Sequence, residues 1–453
     1  MSELKYKKKT VYESLDKKII DEAFEYSEDY KRFLDAAKTE REAVKEAIRM
    51  AVSAGYREYK LGDKISAGDK IFLNNRGKNL FLISVGSEPI NEGIRISAAH
   101  VDAPRIDIKQ CPLYDEGGMA FFKTHYYGGI KKYQWVATPL ALHGVIATAD
   151  GNVIEVAIGE DDNDPVFYIN DLLPHLDKEQ SKRTVSEAIK GEQLNVLVGS
   201  RPDDEENSIS LAVLNLLNEK YGINEEDFLS AELCVVPALK ARDAGLDRSM
   251  IAAYGHDDRV CAYPALTALL EQKETKHTVM CILADKEETG SDGPTGMQSI
   301  LMLDLINELA ANLGGNAALI RANSKCLSAD VSVAYDPNFP EVFEKNNTPI
   351  LSCGAIFAKF TGSGGKYGTN DADAEYIAWI RRALSEDGVV WQTGELGRVD
   401  CGGGGTVAKY ISKHNIETID LGVPVVSMHA PCEIISKVDL YETFRAIRAF
   451  YKF

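Results

Sequence analysis

Apolar runs that end in ligand-type side chains set the pattern of this chain. Val279 to Ala284 reads as a buried strand that delivers Glu287 and Glu288 to its C-terminal end. A turn rich in glycine (Gly290, Gly293, Gly296) follows, and then Ile300, Leu301, Leu305, Ile306 and Leu309 recur near helical spacing. Ile94 to Ala99 runs into His100-Val-Asp102-Ala-Pro104, and the strand-like stretch from Leu327 meets Asp330. The apolar run from Ile419 ends at His429, and Asp257 and Asp258 open a helical segment with Ala265, Leu266, Ala268 and Leu269. Around these lie a helical region up to about residue 55, whose stripe is Phe33, Leu34, Ala37, Val44, Ala47, Ile48 and Ala51, and a hairpin over 69–85 turning at Asn75 to Gly77. A last helix carries Leu440, Phe444 and Ile447.

The pattern changes between about 105 and 240. Short strand-like segments (Leu140 to Thr148, Val153 to Ile158, Val166 to Ile169) alternate with turns rich in Gly and Asp, and Glu232 to Pro237 closes the region. This reads as a mostly β insertion in an α/β domain with a central mixed sheet flanked by helices. The predicted boundaries are 1–104 with 242–453, and 105–241 for the insertion.

Composition narrows the function. A chain of 453 residues with 45% hydrophobic and 26% charged residues has room for two or three cores. Its net charge of −18 argues against a nucleic-acid backbone as partner. No apolar run approaches the roughly 18 residues of a membrane span, and the basic N-terminus has no apolar segment behind it. Eight cysteines without a C-x-x-C pair read as reduced thiols in a cytoplasm. Neither Gly362 to Gly365 nor Gly402 to Gly405 has the spacing of a phosphate cradle.

Five ligand-type residues then stand at strand ends or helix starts: His100, Asp257, Glu288, Asp330 and His429. Two histidines and three carboxylates suit a pair of divalent ions roughly 3.5–4 Å apart with one carboxylate bridging. Three carboxylates and a hydroxide balance two dications. Glu287 is then left as a general base for water, and Asp102 can orient the site from behind. Zinc is the default ion, and manganese or cobalt also fit such oxygen-rich sites.

These motifs resemble the aspartyl aminopeptidase/aminopeptidase I family of dinuclear metallopeptidases. The family's His-x-Asp-x-Pro corresponds to His100-Val-Asp102-Ala-Pro104, with Ala103 where serine is usual. Its Asp-Asn/Asp pair corresponds to Asp257-Asp258, its Glu-Glu-x-Gly-Ser to Glu287 through Ser291, its Ser-Ala-Asp to Ser328 through Asp330, and its Met-His to Met428-His429. The resemblance implies that His100 and Asp330 bind one ion, Glu288 and His429 the other, and Asp257 bridges both, with a cis peptide after it. It also implies a dimerisation role for the insertion, assembly of dimers into a homododecamer, and a His175 that reaches a neighbouring subunit's site.

Removal of N-terminal residues from peptides is the implied reaction. The segment Tyr126 to Leu140 lacks the Asp-Arg-Asp of members that cleave after acidic residues, while Lys359 matches a lysine that could pair with an acidic side chain. Lys366 replaces an arginine before Tyr367, so acidic and neutral N-terminal residues both stay open. Rival readings are another dimetal amidohydrolase, such as an N-deacylase or carboxypeptidase, and a non-catalytic oligomeric scaffold.

Overall fold

The computed structural model describes residues 4–453, so the first three residues of the predicted N-terminal helical region lie outside the described residues. The chain forms two compact units. The first comprises the chain up to Asp102, Ala241–Met428 and Glu433–Phe453; the second comprises Ala103–Lys240 and His429–Cys432.

The first unit is built on a nine-stranded mixed sheet. At its centre Thr278–Ala284, Ile94–His100, Lys325–Ala329 and Glu417–Gly422 lie side by side and parallel. Each is buried almost throughout rather than on alternate residues, because helices cover both faces. Along Thr278–Ala284, Val279, Cys281 and Leu283 enter one core, while Met280, Ile282 and Ala284 enter another with Leu305, Ile306 and Leu309 of the helix Leu301–Leu313. A fully buried leucine here stabilises the fold by roughly 1.5–3 kcal/mol, so Leu283 truncated to alanine would cost about 2–5 kcal/mol.

The hairpin Lys70–Asn75/Asn79–Ser84 lies antiparallel against this set. Its turn places Arg76 and Gly77 in the left-handed region, at φ 61° and 69°, as the Asn-Arg-Gly segment leads one to expect. The N-terminal stripe becomes two helices, Lys17–Ala36 and Glu40–Ser53. They part at Thr39, whose hydroxyl accepts the Glu42 N–H while the Glu42 carboxylate accepts the Thr39 N–H. A five-stranded sheet (Arg242–Ala244, Met250–Ala253, Glu433–Ser436, Pro424–Val426, Ser332–Val333) joins segments of two to four residues, of which the last two lie within the strand-like stretches read from Ile419 and Leu327.

The second unit holds a seven-stranded sheet. The expected strands appear as Leu140–Ala147, Val153–Ile158, Tyr168–Ile169 and Ala231–Pro237. Its longest pair, Arg105–Glu116 with Met119–Tyr127, turns at Gly117 and Gly118. No helix among the described residues is long and apolar enough to cross a membrane.

Candidate metal centre

Register brings the site together. Ala284 pairs with His100 and Ser328 with Ala98, so the parallel strands release His100, the Glu287-Glu288 segment and Asp330 at one end of the sheet. That end is where open α/β sheets place their ligands. The Asp330 N–H donates to the Leu421 carbonyl at 2.9 Å. The Asp330 carbonyl in turn comes so close to Gly422 that a Cβ there would meet it at 2.0 Å, so no larger residue fits.

His100 is the hub. Its Nε2 lies 3.1 Å from Asp257 Oδ1 and 3.8 Å from Asp330 Oδ1, and its Nδ1 lies 3.0 Å from the Asp102 carbonyl oxygen. Ligand atoms of His100, Asp257 and Glu288 lie within 4.8 Å of one another, and so do those of His100, Asp258 and Asp330. Asp257 therefore stands by His100 and Glu288. Asp258, the second acid of the matched pair and not among the expected ligands, joins the Asp330 side.

Neighbouring groups fix these side chains. The buried Asp102 carboxylate accepts the N–H of Glu287 at 3.2 Å and of Glu288 at 3.3 Å. One carboxylate thus orients both the glutamate turn and the His100 ring, whose Nδ1 is 3.3 Å from Asp102 Oδ1. The Glu287–Thr289 turn is flanked by left-handed Lys286 and Gly290. The Asp257 N–H donates to Glu433 Oε2 at 3.0 Å, and the Asp257-Asp258 peptide is cis. Next to it His256 is held between the Tyr30 hydroxyl (2.9 Å) and the Ile251 carbonyl (3.2 Å), and burial pushes its pKa down to about 3. Sequence patterning gave no sign of Glu433, because its part depends on the five-stranded sheet.

Charge in the cluster is unbalanced. Burial raises the Asp258 carboxyl well above its ordinary range, with Asp257 adding to the shift and His100 opposing it. Burial does the same to Asp330, reinforced by Asp258. Burial alone would lower His100, but Asp102, Asp257 and Asp330 hold it well above its usual value. Protons are thus drawn in where positive charge is wanted. Both oxygens of Asp258 are buried without an ordinary hydrogen bond. A divalent cation fits this donor set of one imidazole and several carboxylates.

The other expected site residues are not among these two groups of ligand atoms. His429 groups with the second unit, in a left-handed conformation (φ 64°), with Nδ1 2.8 Å from the Gly129 carbonyl oxygen. His175 is exposed on a segment of the second unit between exposed Leu172, Leu173 and Leu176. Lys359 and Lys366 both ion-pair with Asp371, and Tyr367 is exposed.

Buried imidazole and carboxylates at the ends of parallel strands define the class of metal-dependent hydrolytic centres in chemical terms. The family description "Aminopeptidase I zinc metalloprotease (M18)" matches residues 33–451. The probable M18 family aminopeptidase 1 of Clostridium acetobutylicum is 49% identical over 453 residues, spanning 98% of this chain and 97% of that protein. The crystal structure of an M18-family aminopeptidase from Thermotoga maritima superposes with a TM-score of 0.94 at 42% identity, covering 99% of this chain and all of that one. Aminopeptidase I from Clostridium acetobutylicum superposes with a TM-score of 0.93 at 46% identity, covering 99% and 100%. The chain belongs to the aminopeptidase I zinc metalloprotease family, whose members are metal-dependent aminopeptidases.

Proposed function

We propose that this aminopeptidase holds two divalent ions, zinc by default with manganese or cobalt as alternatives, on His100, Asp257, Glu288, Asp330 and His429, with Glu287 as general base. The observation that carries the reading is the convergence of His100, Asp257, Asp258, Glu288 and Asp330 within two overlapping groups of ligand atoms. A divalent ion held by these residues would supply Lewis acidity to the scissile carbonyl and to the attacking water. Glu287, anchored through its N–H to Asp102, takes the water's proton and returns it to the leaving amine. Asp102 keeps His100 oriented through Nδ1, leaving Nε2 toward Asp257 and Asp330. His429, the matched Met-His ligand, has its tautomer set by the Gly129 carbonyl, which accepts a hydrogen bond from Nδ1–H and so leaves the lone pair on Nε2.

The N-terminal residue removed is neutral rather than acidic. Lys359 and Lys366, placed by resemblance at the substrate side chain together with Tyr367, already share the Asp371 carboxylate, whose pKa they pull down. The second unit serves as the oligomerisation domain, with the exposed leucines around His175 in the interface. The S. cerevisiae mApe1 dodecamer, which shares the fold at 20% identity and a TM-score of 0.77, is the precedent for a homododecamer. Eight free cysteines suit a reducing cytoplasm.

The test is hydrolysis of free and N-acetylated aminoacyl-p-nitroanilides (Asp, Glu, Leu, Lys) after chelation and after zinc, manganese or cobalt is restored. Metal-dependent turnover of free-amine substrates, fastest for leucine, is expected. Turnover confined to blocked substrates would overturn the reaction, and a preference for Asp or Glu would overturn the neutral specificity.

A further inference from the structure

We propose that a hydrogen bond from Thr295 to Asp285 is a positioning clamp for Glu287, closing the neck of the loop that carries it. The inference rests on Glu287 being the general base.

The strand ends at Ala284, whose carbonyl accepts the Val101 N–H at 2.9 Å. The chain then leaves the sheet and returns at Thr295. There the Thr295 hydroxyl donates to Asp285 Oδ2 at 2.6 Å, and the Asp285 N–H faces the Thr295 carbonyl at 3.4 Å. Both side chains are buried, so water does not compete for the bond. The outer part of the loop has separate ties. Gln298 donates to the Gly290 carbonyl, Tyr410 donates to the same oxygen, and Asn75 donates to the Pro294 carbonyl. Glu287 lies two residues from the neck and opens the turn whose Glu287 and Glu288 N–H groups donate to the Asp102 carboxylate.

The choice of residues is unfavourable for packing alone. Asp285 is an acid buried close enough to Glu40 and Asp102 to feel both charges. An apolar pair would close the neck without that electrostatic penalty. What a hydroxyl–carboxylate bond adds is direction. It fixes the rotation of Asp285 and, through the two peptide bonds on either side of Lys286, the course of the backbone into Glu287. A general base acts only within hydrogen-bond reach of the proton it removes, and about 1 Å of misplacement can cost a hundredfold in rate.

The experiment uses the full, metal-loaded chain and the aminoacyl-p-nitroanilide it turns over fastest, with kcat, KM and Tm measured for Thr295→Val, Thr295→Ser and Glu287→Ala. Thr295→Val is expected to lower kcat by about tenfold to a hundredfold with KM held within about twofold, and Thr295→Ser to restore kcat to within about threefold of the parent. Unchanged kcat in Thr295→Val, or an equal loss in Thr295→Ser, overturns the clamp. If Thr295→Val fails to fold, Asp285→Ala and Asp285→Asn read the same bond from the acceptor side. Loss for alanine with retention for asparagine, whose amide oxygen still accepts, supports the clamp; equal kcat overturns it. Full activity in Glu287→Ala removes the base on which the inference rests, whereas an inactive Glu287→Ala beside an unaffected Thr295→Val removes the clamp alone.

Discussion

Asp243 and Asp330 are both largely buried carboxylates of the first unit, and their surroundings push them in opposite directions. Asp243 lies 2.7 Å from Lys31 Nζ, 2.8 Å from Lys437 Nζ and 2.8 Å from Arg248 Nε. Burial works against its charge, yet those three cations hold its carboxyl well below the ordinary range. Asp330 stands among Asp257, Asp258 and Glu287 with His100 as the opposing group, and its carboxyl is pushed up. The first cluster is complete in charge, with more cations than acids. The second is short of positive charge by an amount that protons or metal must supply. Balance, rather than burial or the number of charged residues, separates an ion network that holds the fold from a cluster arranged for a cation.

The sharpest separation is kinetic. Glu287→Ala should lower kcat by about 10²–10⁴-fold while metal content and melting temperature stay near those of the parent. Retained turnover would remove the glutamate from the chemistry. Next in size, Asp243→Asn should cost about 3 kcal/mol in urea unfolding, because Lys437 would stay buried with only the more distant Glu28, at 3.6 Å. Its metal content should be unchanged, and a loss of metal there would blur the contrast.

Smaller, but opposite in sign, is the effect of Asp330→Asn. In metal-free protein it should stabilise the fold by about 1–3 kcal/mol, since it deletes an acid that burial disfavours. In metal-loaded protein it should destabilise. The smallest effect is the pH dependence of that gain. Asp330 titrates at 3.8 when unfolded and higher when folded, so its penalty is full above the folded value and absent below 3.8. The advantage of metal-free Asp330→Asn over the parent should therefore shrink as pH falls toward 4. The contribution of Asp243, whose carboxyl is held down, runs the other way: present above 3.8 and lost as pH falls through its folded value.

Much of the site could be read from the sequence because strand ends were legible. Val279 to Ala284 is an unbroken apolar run leading to Glu287 and Glu288, and the mostly apolar stretches before His100 and Asp330 pair with it or beside it in parallel, so that shared register does the rest. Asp257 was legible as the start of a helix, although regular helical geometry begins only after Asp258. What stayed hidden depends on contacts between distant segments. Glu433 reaches Asp257 through a sheet of two- to four-residue strands, too short for a period to show. Asp371 takes up two lysines only once the segment 359–371 folds back on itself. The hairpin around Gly117 and Gly118 was missed even though its Gly-Gly turn is a recognised signal, because its strands are long and mixed in polarity.

A count of bound metal distinguishes the acid-rich cluster from the Asp243 cluster most directly. Chelated protein would be dialysed against excess zinc and then zinc-free buffer, and metal counted per chain for the parent, Asp257→Asn and Asp243→Asn. About two zinc ions per chain are expected for the parent and for Asp243→Asn, with most of that lost in Asp257→Asn. A parent that retains no zinc, or an Asp257→Asn variant that retains as much as the parent, would rule out a metal site at the acid-rich cluster.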